Sequence, residues 1–225
     1  MHVQKTLLAL FFIILLLSPY HAVVAKDWQA LYGDEIRFLI YRNDKVIGDY
    51  TTRFEKSEGR TEVHAQMNLR IKFLWLINYT YEYKSTERWQ GNTMESLTVN
   101  INDNGSTTTL NIKNIDGVLV GSGPSGDIAA ALPIPTTHHY NADVVNWNKV
   151  LNTISGKENQ VDIKLLGQES VKTSQGETLA SRYRYTGQLR DTDVWYDTKG
   201  RWVKLKFKGK DGVPLEFICD NCRQD

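Results

Sequence analysis

The chain has 225 residues, with 27 Lys and Arg against 26 Asp and Glu. Its only charged residue before position 26 is Lys5, so the remainder balances to zero. A balanced chain carries no electrostatic footprint for a nucleic acid or an anionic membrane. About 200 residues suffice for one domain with a sizeable core.

The first element is an export signal over residues 1–25. Lys5 supplies the positive start, and Leu7 to Leu17 form an apolar run of about 11 residues, too short to cross about 30 Å of hydrocarbon. Ser18 and Pro19 break the run, and Ala22-Val23-Val24-Ala25 offers a cleavage site. The expected location is the periplasm or the secreted space. No Cys follows the cut to take a lipid, and no later run is long enough for a transmembrane anchor. Residues 26–225 are predicted to form a single antiparallel β domain.

Strand follows strand from there. Ile36 to Tyr41 is a β-rich run, Asn43-Asp44-Lys45 turns, and Val46 to Phe54 returns. Lys56 to Gly59 turns again. Thr61, Val63, Ala65, Met67, Leu69 and Ile71 then alternate with polar residues, a strand with one wet face. Tyr79, Tyr81, Tyr83, Ser85, Glu87 and Trp89 share one face of the next strand, and Thr80 to Gln90 supply the other. The tyrosine face is expected to point inward. From Arg60 to Gln90 there is no Gly or Pro, yet a single strand of that length would overrun the domain. The corner is predicted at Phe73-Leu74-Trp75-Leu76-Ile77-Asn78, where period two fails and both faces are apolar. Leu97 to Ile101, Thr107 to Ile112 after the Asn102-Asp103-Asn104-Gly105 turn, and Gly117 to Gly121 continue the series.

Alternation stops over Gly121 to Tyr140, which reads as a long loop and hence a binding or lid segment. Val144, Val145, Trp147, Asn148 and Leu151 stand near helical spacing and predict a short helix over Asn141 to Asn152. Strands resume at Val161 to Leu166, Thr178 to Tyr185, Asp193 to Tyr196, Trp202 to Phe207 and Leu215 to Ile218. About a dozen short-turned strands predict a mainly β fold: a curved antiparallel sheet, half-barrel or barrel, with one loop plus one short helix as a lid.

Short motifs carry a family resemblance. Tyr41-Arg42-Asn43-Asp44-Lys45-Val46-Ile47-Gly48, Tyr79-Thr80-Tyr81-Glu82-Tyr83 with Glu87-Arg88-Trp89, Asn146-Trp147-Asn148, Leu151-Asn152-Thr153 with Gly156, and Trp195-Tyr196-Asp197 with Gly200, Trp202-Val203 and Asp211-Gly212 resemble a family of exported bacterial proteins, domain of unknown function 6134. That family is similar in turn to domain of unknown function 3108. The resemblance implies a curved half-barrel with an apolar concave face, reminiscent of periplasmic lipoprotein carriers. It implies no catalytic residue.

The candidate ligand-binding residues are therefore Phe73, Trp75, Ile77, Tyr79, Tyr81, Tyr83, Trp89 and Trp147. Tyrosine suits a cavity wall, being apolar in body with a polar tip. Glu87, inward on the same strand, reads either as a buried carboxylate with a raised pKa or as a partner of an Arg near the sheet end. Cys219 and Cys222 read as a disulfide, brought together by a turn at Asp220-Asn221. His138 and His139 could complete a zinc set only with reduced cysteines, so no metal is expected. Gly121 to Gly126 lacks the Lys-Ser/Thr ending of a phosphate loop, and Ser125 lacks a nucleophile elbow. No catalytic residue and no cofactor is assigned. The partners this predicts are a lipid or small apolar ligand, or an envelope protein docking at the Phe73–Ile77 corner. A hydrolase using Ser125, His138 or His139 is the remaining alternative.

Overall fold

The computed structural model describes residues 26–73 and 77–222, without the side chains of Phe73, Ile77 and Asn78. The export signal and Trp75 lie outside the described residues.

Among the described residues the first element is a five-residue helix, α1 (Trp28–Tyr32), its N-terminus capped by Asp27, whose carboxylate accepts from the Ala30 N–H at 2.9 Å. Eight strands follow: β1 (Glu35–Arg42), β2 (Lys45–Ser57), β3 (Arg60–Phe73), β4 (Ile77–Gln90), β5 (Thr93–Asp103), β6 (Ser106–Ile115), β7 (Val118–Gly123) and β8 (Gly126–Ala131). After a connection over 132–148 come β9 (Lys149–Leu151), β10 (Glu158–Thr173), β11 (Gly176–Gly187), β12 (Thr192–Asp197), β13 (Trp202–Lys208) and β14 (Pro214–Asn221).

All fourteen join one antiparallel sheet in which every pair of sequence neighbours except β8 and β9 is laddered, and β1 also pairs with β14. The tight turns are those the residues demand. Asn43 and Asp44 both take positive φ (48° and 59°), as do Asn104 and Gly105 (52° and 93°), which matches the right-handed twist of their hairpins. The β3–β4 hairpin closes with Phe73 opposite Ile77, at the predicted corner.

The sheet curls into a nearly closed barrel. Its free edges, β8 and β9, form no ladder with each other but approach closely. The Ser125 N–H donates to the Ser155 carbonyl at 3.2 Å, and beside it Gly156 takes φ 79°, the left-handed region that favours glycine, with Ile128 Cδ1 only 2.5 Å from where a Cβ would stand.

Inward residues follow period two. On β4, Tyr83, Ser85, Glu87 and Trp89 are buried while Glu82, Lys84, Arg88 and Gln90 face solvent. On β3, Val63, Ala65 and Leu69 are buried.

Two expectations need correction. The Asn141 to Asn152 helix is instead one 3-10 turn (Ala142–Asn146) followed by β9. Val144 is buried by the turn, whereas Val150 and Leu151 are buried by pairing with β10, so the apparent helical spacing belongs to two elements. The Gly121 to Tyr140 stretch is not one loop: it supplies the end of β7 and all of β8. The connection beyond it is a plug more than a lid. Ile134, Thr136, His138, His139, Tyr140 and Val144 are all buried. Leu132 and Leu151 anchor it through backbone bonds to Gly117 and Pro135.

Candidate functional site

The inward face of β4 meets the plug at Glu87, which is fully buried. An isolated buried carboxylate is costly, and here four donors converge on it. Thr136 Oγ1 donates to Oε1 at 2.8 Å, His138 Nδ1 to Oε1 at 2.7 Å and Trp89 Nε1 to Oε2 at 3.2 Å, and the Tyr140 hydroxyl donates to Oε2. Burial pushes the Glu87 pKa up, but the charge of His138 and the hydrogen bonds from His138, Tyr140 and Thr136 outweigh it and hold it below the usual carboxylate value. Both sequence readings of Glu87 are thus corrected: its partner is His138, not Arg, and its pKa is lowered, not raised.

Because the carboxylate only accepts, His138 Nδ1 carries a proton. Its Nε2 lies 2.8 Å from the Tyr83 hydroxyl and 3.3 Å from Ser85 Oγ. Hydroxyl, imidazole and carboxylate in that order resemble a nucleophilic triad. Ser85, however, is outside the lining of the adjoining cavity, and burial raises the Tyr83 phenol pKa well above its ordinary value, which keeps it protonated. The arrangement fastens the plug to the barrel wall and aims His138 at the cavity.

That cavity has a volume of about 170 Å³. Tyr50 and Met67 line it from β2 and β3, Tyr83 from β4, and Tyr185 from β11; Trp202, Leu205 and Phe207 line it from β13 and Phe217 from β14. The plug contributes Thr137, His138 and His139, and Ile154, 49% exposed, stands at its rim. The lining holds no Asp, Glu, Lys or Arg. Burial, followed by the charge of His138, pushes the His139 pKa down to about 3, so its imidazole is neutral.

Of the residues singled out from sequence, Tyr83 lines this cavity. Tyr79 is half-buried and donates to Asp103 at 2.6 Å, and Tyr81 packs partly buried against the core. Trp89 belongs to a filled region, its ring 5.3 Å from that of Trp28 in an edge-on contact. Trp147 is half-buried beside the 3-10 turn. Phe73, Trp75 and Ile77 have no described side chains. Period-two reading of the late strands contained the signal for Leu205 and Phe207, whereas Trp202, of the opposite parity, joins their face only through the bulge at Val203, where the β12–β13 register shifts; the β1–β14 closure then brings this wall opposite Tyr50. Cys219 and Cys222 stand at disulfide distance, Cα atoms 5.7 Å apart. The expected turn at Asp220-Asn221 is instead a bulge: β14 continues to Asn221, and its register with β1 shifts between Arg37 and Phe38. The extra residue shortens the strand enough for the sulfurs to meet. The cysteines stand paired with each other. Among the described residues no group of three His, Cys, Asp or Glu is placed to hold a metal ion.

Fold and site together define a barrel-like β protein with an aromatic-lined interior. The chain belongs to the family described as Domain of unknown function (DUF6134), whose model matches residues 38–220. In fold it is similar to a crystal structure of a β-barrel-like protein of domain of unknown function DUF1849 from Brucella abortus. The TM-score is 0.58 at 8% identity, over 85% of this chain and 97% of that one. No curated protein matches the chain.

Proposed function

We propose that the chain is an exported, non-enzymatic binding protein that holds an apolar or lipid-like ligand inside its barrel. The cavity carries this reading: about 170 Å³ of space walled by aromatic and aliphatic side chains. Cores normally pack without such voids, and an apolar cavity of about 150 Å³ accepts benzene. The space thus suits one ring or a short length of acyl chain, with the rest of the ligand leaving past Ile154. Mass spectrometry of solvent extracts from protein purified out of its native envelope tests this, together with titration of a neutral apolar dye. A copurified apolar compound, and dye binding lost in Met67→Trp, are expected. No extract and no dye binding would sink the idea.

Export is supported by Lys5, the Leu7 to Leu17 run and Ala22 to Ala25. N-terminal sequencing should find Lys26 first; a retained Met1 on the envelope protein argues the opposite. The Ser85–His138–Glu87 order supports a second, hydrolytic reading. It requires ester turnover by the wild type that disappears in both Ser85→Ala and His138→Gln.

A further inference from the structure

The wall of the cavity changes toward its mouth. Tyr50, Tyr185 and Trp202 are buried, Asn152, Leu189 and Thr192 are half-buried, and Ile154 is exposed. The mouth is thus framed by the β9–β10 connection, 152–157, and by the β11–β12 connection, 188–191, with Thr192 beyond it. The second connection is pinned to β10. The Gln188 N–H donates to the Gln160 carbonyl at 3.0 Å, and the Gln188 side-chain oxygen accepts from the Gln160 N–H at 2.7 Å. Three groups of this frame keep accessible surface and have no partner among the described residues. Asn152 Oδ1 accepts from the N–H groups of Ile154 and Ser155 at 2.9 and 3.1 Å, which fixes the carboxamide and leaves both Nδ2 donors unused. The Thr192 hydroxyl makes no hydrogen bond, and Arg190, between Leu189 and Thr192 in the chain, is exposed and makes no ion pair. The neighbouring acids already have lysines: Asp191 pairs with Lys208 at 3.2 Å and Glu158 with Lys149 at 3.4 Å. Deeper in, Glu87 and His138 compensate each other at 2.7 Å. Interior charge is therefore closed, while the mouth has a surplus cation and spare donors.

We propose that the cavity takes the tail of a single-chain acid and that Arg190, with Asn152 and Thr192, holds the carboxylate at the mouth. The inference rests on the ligand-binding reading above and specifies the ligand's chemistry. A guanidinium is built for this partner: its planar fork meets a carboxylate with two parallel hydrogen bonds. The aliphatic stem of an arginine lies along apolar surface, such as that of Leu189, while its charge stays in water. The Asn152 amide and the Thr192 hydroxyl are donors of the kind a carboxylate oxygen accepts. A cationic head would meet Arg190 and find no unpaired acid on the two connections. The lining itself carries only carbon-rich walls and no Asp, Glu, Lys or Arg, which suits the tail.

Three probes with one tail separate the possibilities: octanoate, 1-octanol and octylammonium at neutral pH, titrated against the full mature chain by ligand-observed NMR. Octanoate should bind about fivefold tighter than octanol, as an exposed ion pair allows, with octylammonium weakest. Added salt should shrink that preference. In Arg190→Gln octanoate should fall to the affinity of octanol, and Arg190→Lys should keep part of the preference. Arg190 has no partner to lose, so the thermal midpoint of Arg190→Gln should match that of the wild type. Lys113→Gln, which removes an exposed cation of β6, should leave octanoate binding as it is. Octanol binding as tightly as octanoate would overturn the carboxylate site and leave the ligand-binding reading standing. Tightest binding of octylammonium would overturn the sign of the head. A preference for octanoate that survives in Arg190→Gln would remove Arg190 from the site. Binding of none of the three would overturn this proposal together with the cavity reading beneath it.

Discussion

Two regions of one interior, built from the same kinds of residues, have opposite finishes. Around Glu87, the rings of Trp28, Trp89, Phe54 and Tyr140 pack with centroids 5.0–5.5 Å apart, and the carboxylate meets four donors. Around Tyr50, Tyr185 and His139 a cavity remains, and two polar atoms lack partners. His138 lies on the border, bonded to Glu87 on one side and facing the cavity on the other. A chain able to fill one region this completely could fill the other, so the hollow one is read as reserved space. Stability should reside in the filled region and binding in the hollow one.

Substitutions can break that contrast. The largest effect is expected from Glu87→Ala, which leaves His138, Thr136, Tyr140 and Trp89 without their acceptor. Removing one partner of a buried charged network costs about 3–5 kcal/mol, measurable by urea denaturation; a loss below about 1 kcal/mol would deny the filled region its role.

Acid separates the regions next. His139 is held down to about 3 from an ordinary 6.5, by burial first and the His138 charge second. The folded state resists protonating it, so stability is full above pH 6.5 and falls as pH drops toward 3, by about 1.4 kcal/mol per unit. Glu87, also depressed, adds a loss in the same direction below its ordinary 4.5. His139→Phe should flatten the curve between pH 6.5 and 4.5; parallel curves for variant and wild type would argue against a desolvated His139.

A smaller loss, about 1–3 kcal/mol, is expected for Tyr32→Phe. The Tyr32 hydroxyl donates to the Tyr140 carbonyl and accepts from the Trp202 N–H, both at 2.9 Å, tying α1, plug and β13 together. Smallest is Ile154→Ser at the cavity rim, expected within about 0.5 kcal/mol of wild type while weakening apolar-dye binding. Equal effects of Ile154→Ser and Tyr32→Phe on stability would erase the distinction.

Much of the fold was legible because strands with one wet face write their pairing into residue parity. β3 and β4 were readable that way over nearly their whole length, and the Asn-Asp and Asn-Gly turns marked hairpins directly. β10 extends beyond Leu166 through Gly167-Gln168-Glu169-Ser170, all exposed and without an apolar side chain, so no alternation remained to read there. The helix expected over Asn141 to Asn152 failed for the opposite reason, since buried residues of two short elements imitated one period. Parity also placed Glu87 inside. Its partner His138 is 51 residues away, and no local pattern encodes which plug residue will arrive there. The same holds for the cavity, whose walls come from both ends of the chain and meet only on closure.

The seam between β8 and β9 has a mechanical consequence. The chain that leaves one edge and returns as the other is the plug itself, so seam, plug and cavity wall are covalently one strip. Where other neighbours in the sheet are held by ladders, these edges are bridged at Ser125 and Ser155. Any parting of the edges must therefore pull on Thr136, Thr137, His138 and His139, and any load placed on those residues is felt at the edges. The seam of this barrel and the wall it would present to a guest are one continuous stretch of backbone.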